Sequence, residues 1–116
     1  MNTSENMEAV LEQLFLQARS RFGSATKSYW FHESDACPGC GHRIDALKIK
    51  GQDALSLNVF IYQEHHVLIG YLLCSRCAAK VFRAAERNPG QQTPLHATIE
   101  TNLIKAYHRH LQSLDT

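Results

Sequence analysis

No apolar run in this chain approaches the roughly 20 residues that a helix needs to cross a bilayer, so no helical membrane span is expected. The opening residues, Met1 to Glu12, carry acids in place of the basic leader and apolar stretch of an export signal. The sequence therefore reads as cytoplasmic, in reducing surroundings and with no membrane partner. Charge of one sign is also missing: a net charge of +1 over 116 residues provides no global field to gather nucleic acid or a lipid surface. Nor does a nucleophile with a base, or a pair of carboxylates, stand at a telling spacing, so no enzyme is indicated. Length and a hydrophobic content of 44% suit one domain over residues 1–116, with one modest core.

Cysteine is scarce too, and its placement is the strongest signal present. All four cysteines fall in two short-spaced pairs, Cys37-Pro38-Gly39-Cys40-Gly41-His42 and Cys74-Ser75-Arg76-Cys77. A Cys-x-x-Cys pair puts two sulfurs within reach of one ion, and a second pair beside it completes the tetrahedron that zinc takes in closed structural sites. Cys37, Cys40, Cys74 and Cys77 are thus the expected ligands of one Zn(2+) per chain. Two disulfides are the alternative that an oxidising compartment would favour. Inside the first pair, proline fixes one backbone angle and the glycines open others, which makes a tight turn whose amide N–H groups can point back at the sulfurs.

Local charge is more telling than the total. Residues 74–90 hold four bases against one acid, whereas the segments on either side are balanced and residues 1–36 are acidic. The alanine-rich run Ser75 to Arg87 reads as a helix ended by Asn88-Pro89-Gly90. On it Arg76, Lys80, Arg83 and Arg87 fall on one face, and Cys77, Val81, Phe82, Ala84 and Ala85 make a separate apolar sector turned to the core. The basic row can balance the negative charge of a four-thiolate site, face solvent, or meet phosphates. A helix starting at the second pair also brings free N–H groups and the positive dipole end to its sulfurs.

The flanks read as helices. Met7, Leu11, Leu14, Ala18 and Phe22, widened by Val10 and Phe15, form one stripe over residues 1–23, with Ser4 as N-cap, Glu5 and Glu8 at the positive end, and Gly23 as the stop. Thr93 and Pro94 open a C-terminal helix over 93–114, whose stripe is Ile99, Leu103, Ile104, Tyr107, Leu111 and Leu114. Between the cysteine pairs, a turn at Gly51-Gln52-Asp53 precedes a strand in which Leu55, Leu57, Val59 and Ile61 alternate with polar or aromatic neighbours. A second turn at Gln63 to His66 leads to a more buried strand, Val67 to Leu73, that feeds into Cys74. Tyr29-Trp30-Phe31 cannot all face one way on a strand, so Tyr29 or Trp30 is a candidate contact residue, or else a lid on the metal site. His32, His65, His66, His108 and His110 lack companions at ligand spacing and read as ordinary surface or turn histidines.

The knuckle, the hairpin and the helix that bears the second pair together resemble the treble-clef class of zinc fingers over residues 37–87. The resemblance implies Cys37, Cys40, Cys74 and Cys77 as zinc ligands. The expected fold is α+β: a small antiparallel hairpin or three-stranded sheet with a four-cysteine zinc site, flanked by N- and C-terminal helices. The favoured function is a non-enzymatic, zinc-stabilised interaction module, an adaptor or regulator that binds a protein partner or a second copy of itself. A nucleic-acid binder using the Arg76, Lys80, Arg83 and Arg87 row is the alternative. A thiol redox or iron electron-transfer protein, resembling glutaredoxin-like oxidoreductases or rubredoxin-like proteins, comes third.

Overall fold

The Tyr62–Val67 reversal shows how the chain builds its sheet. A short 3-10 turn, Gln63–His65, ends at His66, which takes a left-handed conformation (φ 53°) and returns its N–H to the Gln63 carbonyl. A connection this short can only join antiparallel neighbours. In the computed structural model, which describes residues 3–23, 26–90 and 92–114 (and no side chain of residues 3–8 or of Ile49), it links strands β4 (Ser56–Tyr62) and β5 (Val67–Leu73). Strand β1 (Ser28–Phe31) pairs with the other edge of β5 in parallel, Ser28 opposite Val67 and Phe31 opposite Gly70. The order β1-β5-β4 makes β5 the central strand, which explains why it is apolar on both faces and almost wholly buried. The fold is α+β: three helices, a mixed three-stranded sheet, and a separate two-stranded hairpin.

Two compact units form. The first comprises Met1–Glu33 and Leu57–Tyr71, the second Ser34–Ser56 and Leu72–Thr116. In the first, helix α1 (Thr3–Phe22) packs on β1, and Leu11, Phe15 and Leu68 make the centre of the core, with Leu14, Ala18, Phe31 and Ile61 around them. Gly23 (φ +59°) ends α1 as expected, because a left-handed residue after a helix favours glycine. The chain is already helical at Thr3, one residue before the cap expected at Ser4, and the Met7 side chain lies outside the described residues. The expected stripe is only partly core: Val10 and Phe22 are exposed, Phe22 by 55%, because one sheet face covers less than the full width of the stripe.

At Gly70 the Leu11 side chain of α1 lies directly on the sheet. A Cβ there would stand 2.7 and 2.9 Å from the two Leu11 methyl carbons, and Leu11 has no exposed surface into which to retreat.

The second unit holds the hairpin of β2 (Leu47–Ile49) and β3 (Gln52–Ala54). Its loop is Lys50-Gly51, with φ of 51° and 80°, so the turn sits one residue earlier than the Gly51-Gln52-Asp53 expected and has the two left-handed residues that suit a two-residue hairpin. That leaves Asp53 in β3 opposite Lys48, where the two side chains form an exposed 3.9 Å ion pair. Helix α2 (Ser75–Arg87) starts directly after β5, and α3 (Pro94–Leu114) packs against it. Thr93 caps α3 as expected: its hydroxyl accepts from the His96 N–H and meets His96 Nδ1 at 2.9 Å, with Pro94 in the first turn. Ile99, Leu103, Ala106 and Tyr107 are the buried face of α3.

Gly70→Ala is expected to destabilise the first unit by about 1–3 kcal/mol through overpacking against Leu11. In a double-mutant cycle read by urea denaturation, Gly70→Ala with Leu11→Ala should cost less than the two single changes added, because the cavity left by one admits the methyl of the other.

Candidate metal centre

The first cysteine pair lies in a tight reverse turn. Ala36 bridges Arg43 in antiparallel fashion, the Cys37 N–H donates to the His42 carbonyl (2.7 Å), and the Gly41 N–H donates back to the Cys37 carbonyl (2.8 Å). Gly41 takes φ +80°, a conformation that a side chain would strain. The turn lets the Gly39 N–H reach Cys37 Sγ at 3.4 Å, so the backbone donates to the sulfur as the knuckle pattern implies.

The second pair lies on a helix start. Cys74 is the N-cap of α2, its sulfur accepting from the Cys77 N–H at 3.5 Å, and Cys77 is buried in the first turn. A cysteine thus takes the capping role usual for serine or aspartate, with the dipole end aimed at the sulfurs.

Together the pairs bring Cys37, Cys40, Cys74 and Cys77 into one cluster, each offering an Sγ within 4.8 Å of every other. Cys40 Sγ is 3.5 Å from Cys74 Sγ. A tetrahedron with metal–sulfur bonds of about 2.3 Å has edges of about 3.8 Å, so the cluster needs little adjustment to hold one ion. All four thiols are free, and the separation between the pairs is far beyond a disulfide bond length. A four-thiol donor set matched in size to one ion is the chemistry of a metal cage, and it suits soft or borderline ions such as zinc or iron.

No family profile, curated protein or solved structure matches this chain. The argument for the site therefore rests on its own residues.

Three of those residues lie beyond the cysteines, and none of them was assigned a partner from the sequence. Asp45 accepts the Ser75 N–H (2.8 Å) and the Ser75 hydroxyl (2.7 Å), and so ties the segment after the knuckle to the first turn of α2. Those two donors, the N–H first, hold its carboxyl below the ordinary carboxylate range. The contact it stabilises is complete above the free-aspartate value of about 3.9 and is lost only as pH falls through the lowered value. His42 places Nδ1 3.2 Å from Cys40 Sγ. Asn102, on α3, donates its amide to the Pro38 carbonyl at 2.7 Å. A cue for Asn102 did exist: it lies one helical turn from both Ile99 and Ala106, a polar residue within the apolar stripe. Asp45 gave none, because its partner is 30 positions away and no local periodicity links them.

Gly39 shows how tightly α3 closes over the knuckle. A Cβ there would lie 3.0 Å from Cys77 Sγ, 3.2 Å from Leu95 and 3.4 Å from Ile99.

The other residues singled out from the sequence are dispersed. Arg76, Lys80, Arg83 and Arg87 lie along α2 at the surface, and none takes part in the one ion pair found among the described residues, Lys48–Asp53. The apolar sector of α2 is narrower than expected. Cys77 and Ala78 are buried and Val81 and Ala84 half-buried, but Ala85 is exposed and Phe82 is 68% exposed, since α3 covers the side of α2 that carries the cysteines. In the first unit Tyr29 is exposed and packs its ring on Phe15 (5.0 Å), while Trp30 is half-buried with its ring tilted against His32 (5.5 Å). His65 and His66 occupy the turn, His65 beside Tyr62, and His108 and His110 lie on α3, His110 beside Tyr107. The metal-ligating cluster contains no histidine. No helix among the described residues is long and apolar enough to cross a membrane.

Packed together, the thiols do not share their protons evenly. Burial and the neighbouring sulfurs of Cys40, Cys37 and Cys74 push the Cys77 thiol far above its ordinary range. Burial also raises Cys74, despite the Cys77 N–H that opposes it. At Cys37 burial acts in the same direction, but the N–H groups of Cys74, Gly39 and Cys40 outweigh it and the pKa is lowered. An incoming cation must therefore displace protons from at least Cys74 and Cys77, and since raised groups keep their protons at neutral pH, affinity rises with pH. With at least two protons released, the metal dissociation constant should fall by at least about a hundredfold per pH unit, which chelator competition at several pH values will measure. Gly39→Ala should cost about 1–3 kcal/mol by overpacking and weaken metal binding in the same titration, because the added methyl presses on Cys77.

Proposed function

We propose that the chain is a non-enzymatic interaction module held together by one zinc ion on Cys37, Cys40, Cys74 and Cys77, with a plan similar to the treble-clef zinc fingers and a protein as its partner. The observation that carries this reading is the convergence of a Cys-Pro-Gly-Cys-Gly knuckle and the first turn of α2 on one four-sulfur cluster. Four thiolates complete zinc's tetrahedron and leave no position for a water to be activated, which suits a structural ion. The second pair caps a helix rather than forming a second knuckle, which favours the zinc-finger plan over a rubredoxin-like iron site. A thiol oxidoreductase finds less support, since the segment after Cys40 leads into the strand β2 and not into a helix.

Zinc in this reading replaces core. Binding an ion to a folded cage contributes directly to folding free energy, so loss of a ligand loosens every element the cage joins. Metal analysis with light-scattering mass should find one tightly held zinc per chain, and chelation should abolish the far-UV signal of the second unit. Cys40→Ser should do the same. Metal-free protein with two disulfides, or a Cys40→Ser variant that stays folded and loses only an activity, would overturn the reading.

The exposed row Arg76, Lys80, Arg83 and Arg87 supports one second reading, nucleic-acid binding through the α2 face. Its test is affinity for a duplex or a single strand as salt is raised. Binding that weakens steeply with salt and disappears on Lys80→Glu with Arg83→Glu would favour it, whereas no binding at low salt would end it.

A further inference from the structure

We propose that the outer face of α2, with β2 beside it, is a docking site for an acidic, amphipathic segment of a partner protein. The proposal rests on the interaction-module reading and adds to it a surface and a partner chemistry. Phe82 is the starting observation. Its ring projects from α2 with 68% of the residue exposed, the most exposed of the large apolar residues described. Beside it lies a hollow of about 360 Å³ whose apolar lining is Leu47, Ala79 and Phe82 and whose rim is Lys48, Arg83 and Glu86. A second hollow of about 450 Å³ runs along the same helix, lined by Ser75, Arg76, Ala79, Lys80 and Arg83. Ala79 and Arg83 line both, so the apolar hollow and the basic one are parts of one surface.

Charge identifies the occupant. Arg76, Lys80, Arg83 and Lys48 face the surface, against Glu86 and the Asp53 that pairs with Lys48. The excess is general to this unit, which carries nine Lys and Arg against six Asp and Glu, whereas the first unit carries three against five. A segment that suits the surface places one apolar side chain on Leu47, Ala79 and Phe82 and carboxylates toward Lys80, Arg83 and Arg76. Aromatic and arginine side chains around an apolar hollow are also the usual make-up of the residues that dominate protein interfaces.

Two observations favour a carboxylate-bearing protein segment over a phosphate chain. The N-terminus of α2, where a phosphate would find a free N–H group, is taken by Asp45, whose carboxylate accepts from the Ser75 N–H and hydroxyl, so an anion must bind along the helix through side chains. At the other end of the surface, the hollow lined by Leu47, Ala79 and Phe82 takes an apolar side chain, which an amphipathic peptide segment carries and a phosphate backbone does not.

The test is fluorescence anisotropy on the full, zinc-loaded chain. The probe is a fluorescein-labelled peptide of about twelve residues, rich in Asp and Glu around a Phe-x-x-Leu pair. Controls are a peptide with serine in place of those apolar residues and a single-stranded oligonucleotide of similar length. The acidic amphipathic peptide is expected to bind with a Kd on the order of 10 μM. The serine peptide should bind at least about tenfold more weakly, and Phe82→Ser and Lys80→Glu with Arg83→Glu should each cost at least about tenfold, with zinc content and circular dichroism unchanged. Equal affinity of Phe82→Ser for the peptide, no peptide binding, tighter binding of the oligonucleotide, or a doubled light-scattering mass abolished by Phe82→Ser would each overturn the docking site. In folded, zinc-loaded protein such a result removes the docking site alone. Protein that is folded but metal-free in the same samples removes the module reading beneath it.

Discussion

The second unit is arranged around the meeting of four sulfurs at one point. A unit of this size has only a modest core, and ligation of one ion by the four cysteines would add a constraint between segments far apart in sequence. The local structure is arranged around that demand. The knuckle uses proline and glycine for a turn that directs N–H groups at Cys37, and α2 starts where its own free N–H groups meet Cys74. In both cases backbone donors lower the cost of holding negative sulfurs together.

The sulfur cluster is supported from outside by contacts that link further segments to it. Asp45 joins the segment after the knuckle to the first turn of α2, and Asn102 joins α3 to the Pro38 carbonyl. Gly39 lets Leu95 and Ile99 approach so closely that no other residue fits without displacement. α3, which carries no ligand, is therefore part of the metal centre: it covers the buried cysteine side of α2 and leaves Phe82 and the basic row outside. The first unit is built on another principle, ordinary apolar packing of α1 on a sheet through Leu11, Phe15 and Leu68.

This division gives the helix α2 two chemically different sides. Its inner side carries the buried Cys77 and Ala78, and its outer side carries the exposed Phe82 and the basic row. A row of cations and an exposed ring on such a surface are the features that carry the proposed interaction. The core of this unit, centred on the cysteines and on Ile99, Leu103 and Tyr107, leaves Phe82 in water.

Sequence by itself determined the elements whose cause is local. The four sulfurs, the cap at Thr93, the stop at Gly23, the bounds of the Ser75–Arg87 helix and the buried character of Val67–Leu73 all follow from residues near one another along the chain, where spacing and turn chemistry suffice. The hairpin turn was displaced by one residue, because Lys50 as well as Gly51 adopts a left-handed angle, a choice that pairing of Lys48 with Asp53 settles. What only the tertiary structure decided were the relations between distant segments: β1 lying parallel to β5, α3 closing over Gly39, Asp45 reaching Ser75, and Phe82 facing water though it belongs to an apolar sector of its helix. Helical periodicity names a stripe, but which part of the stripe is covered depends on the width and position of the element that packs against it, and that is not written in any one segment.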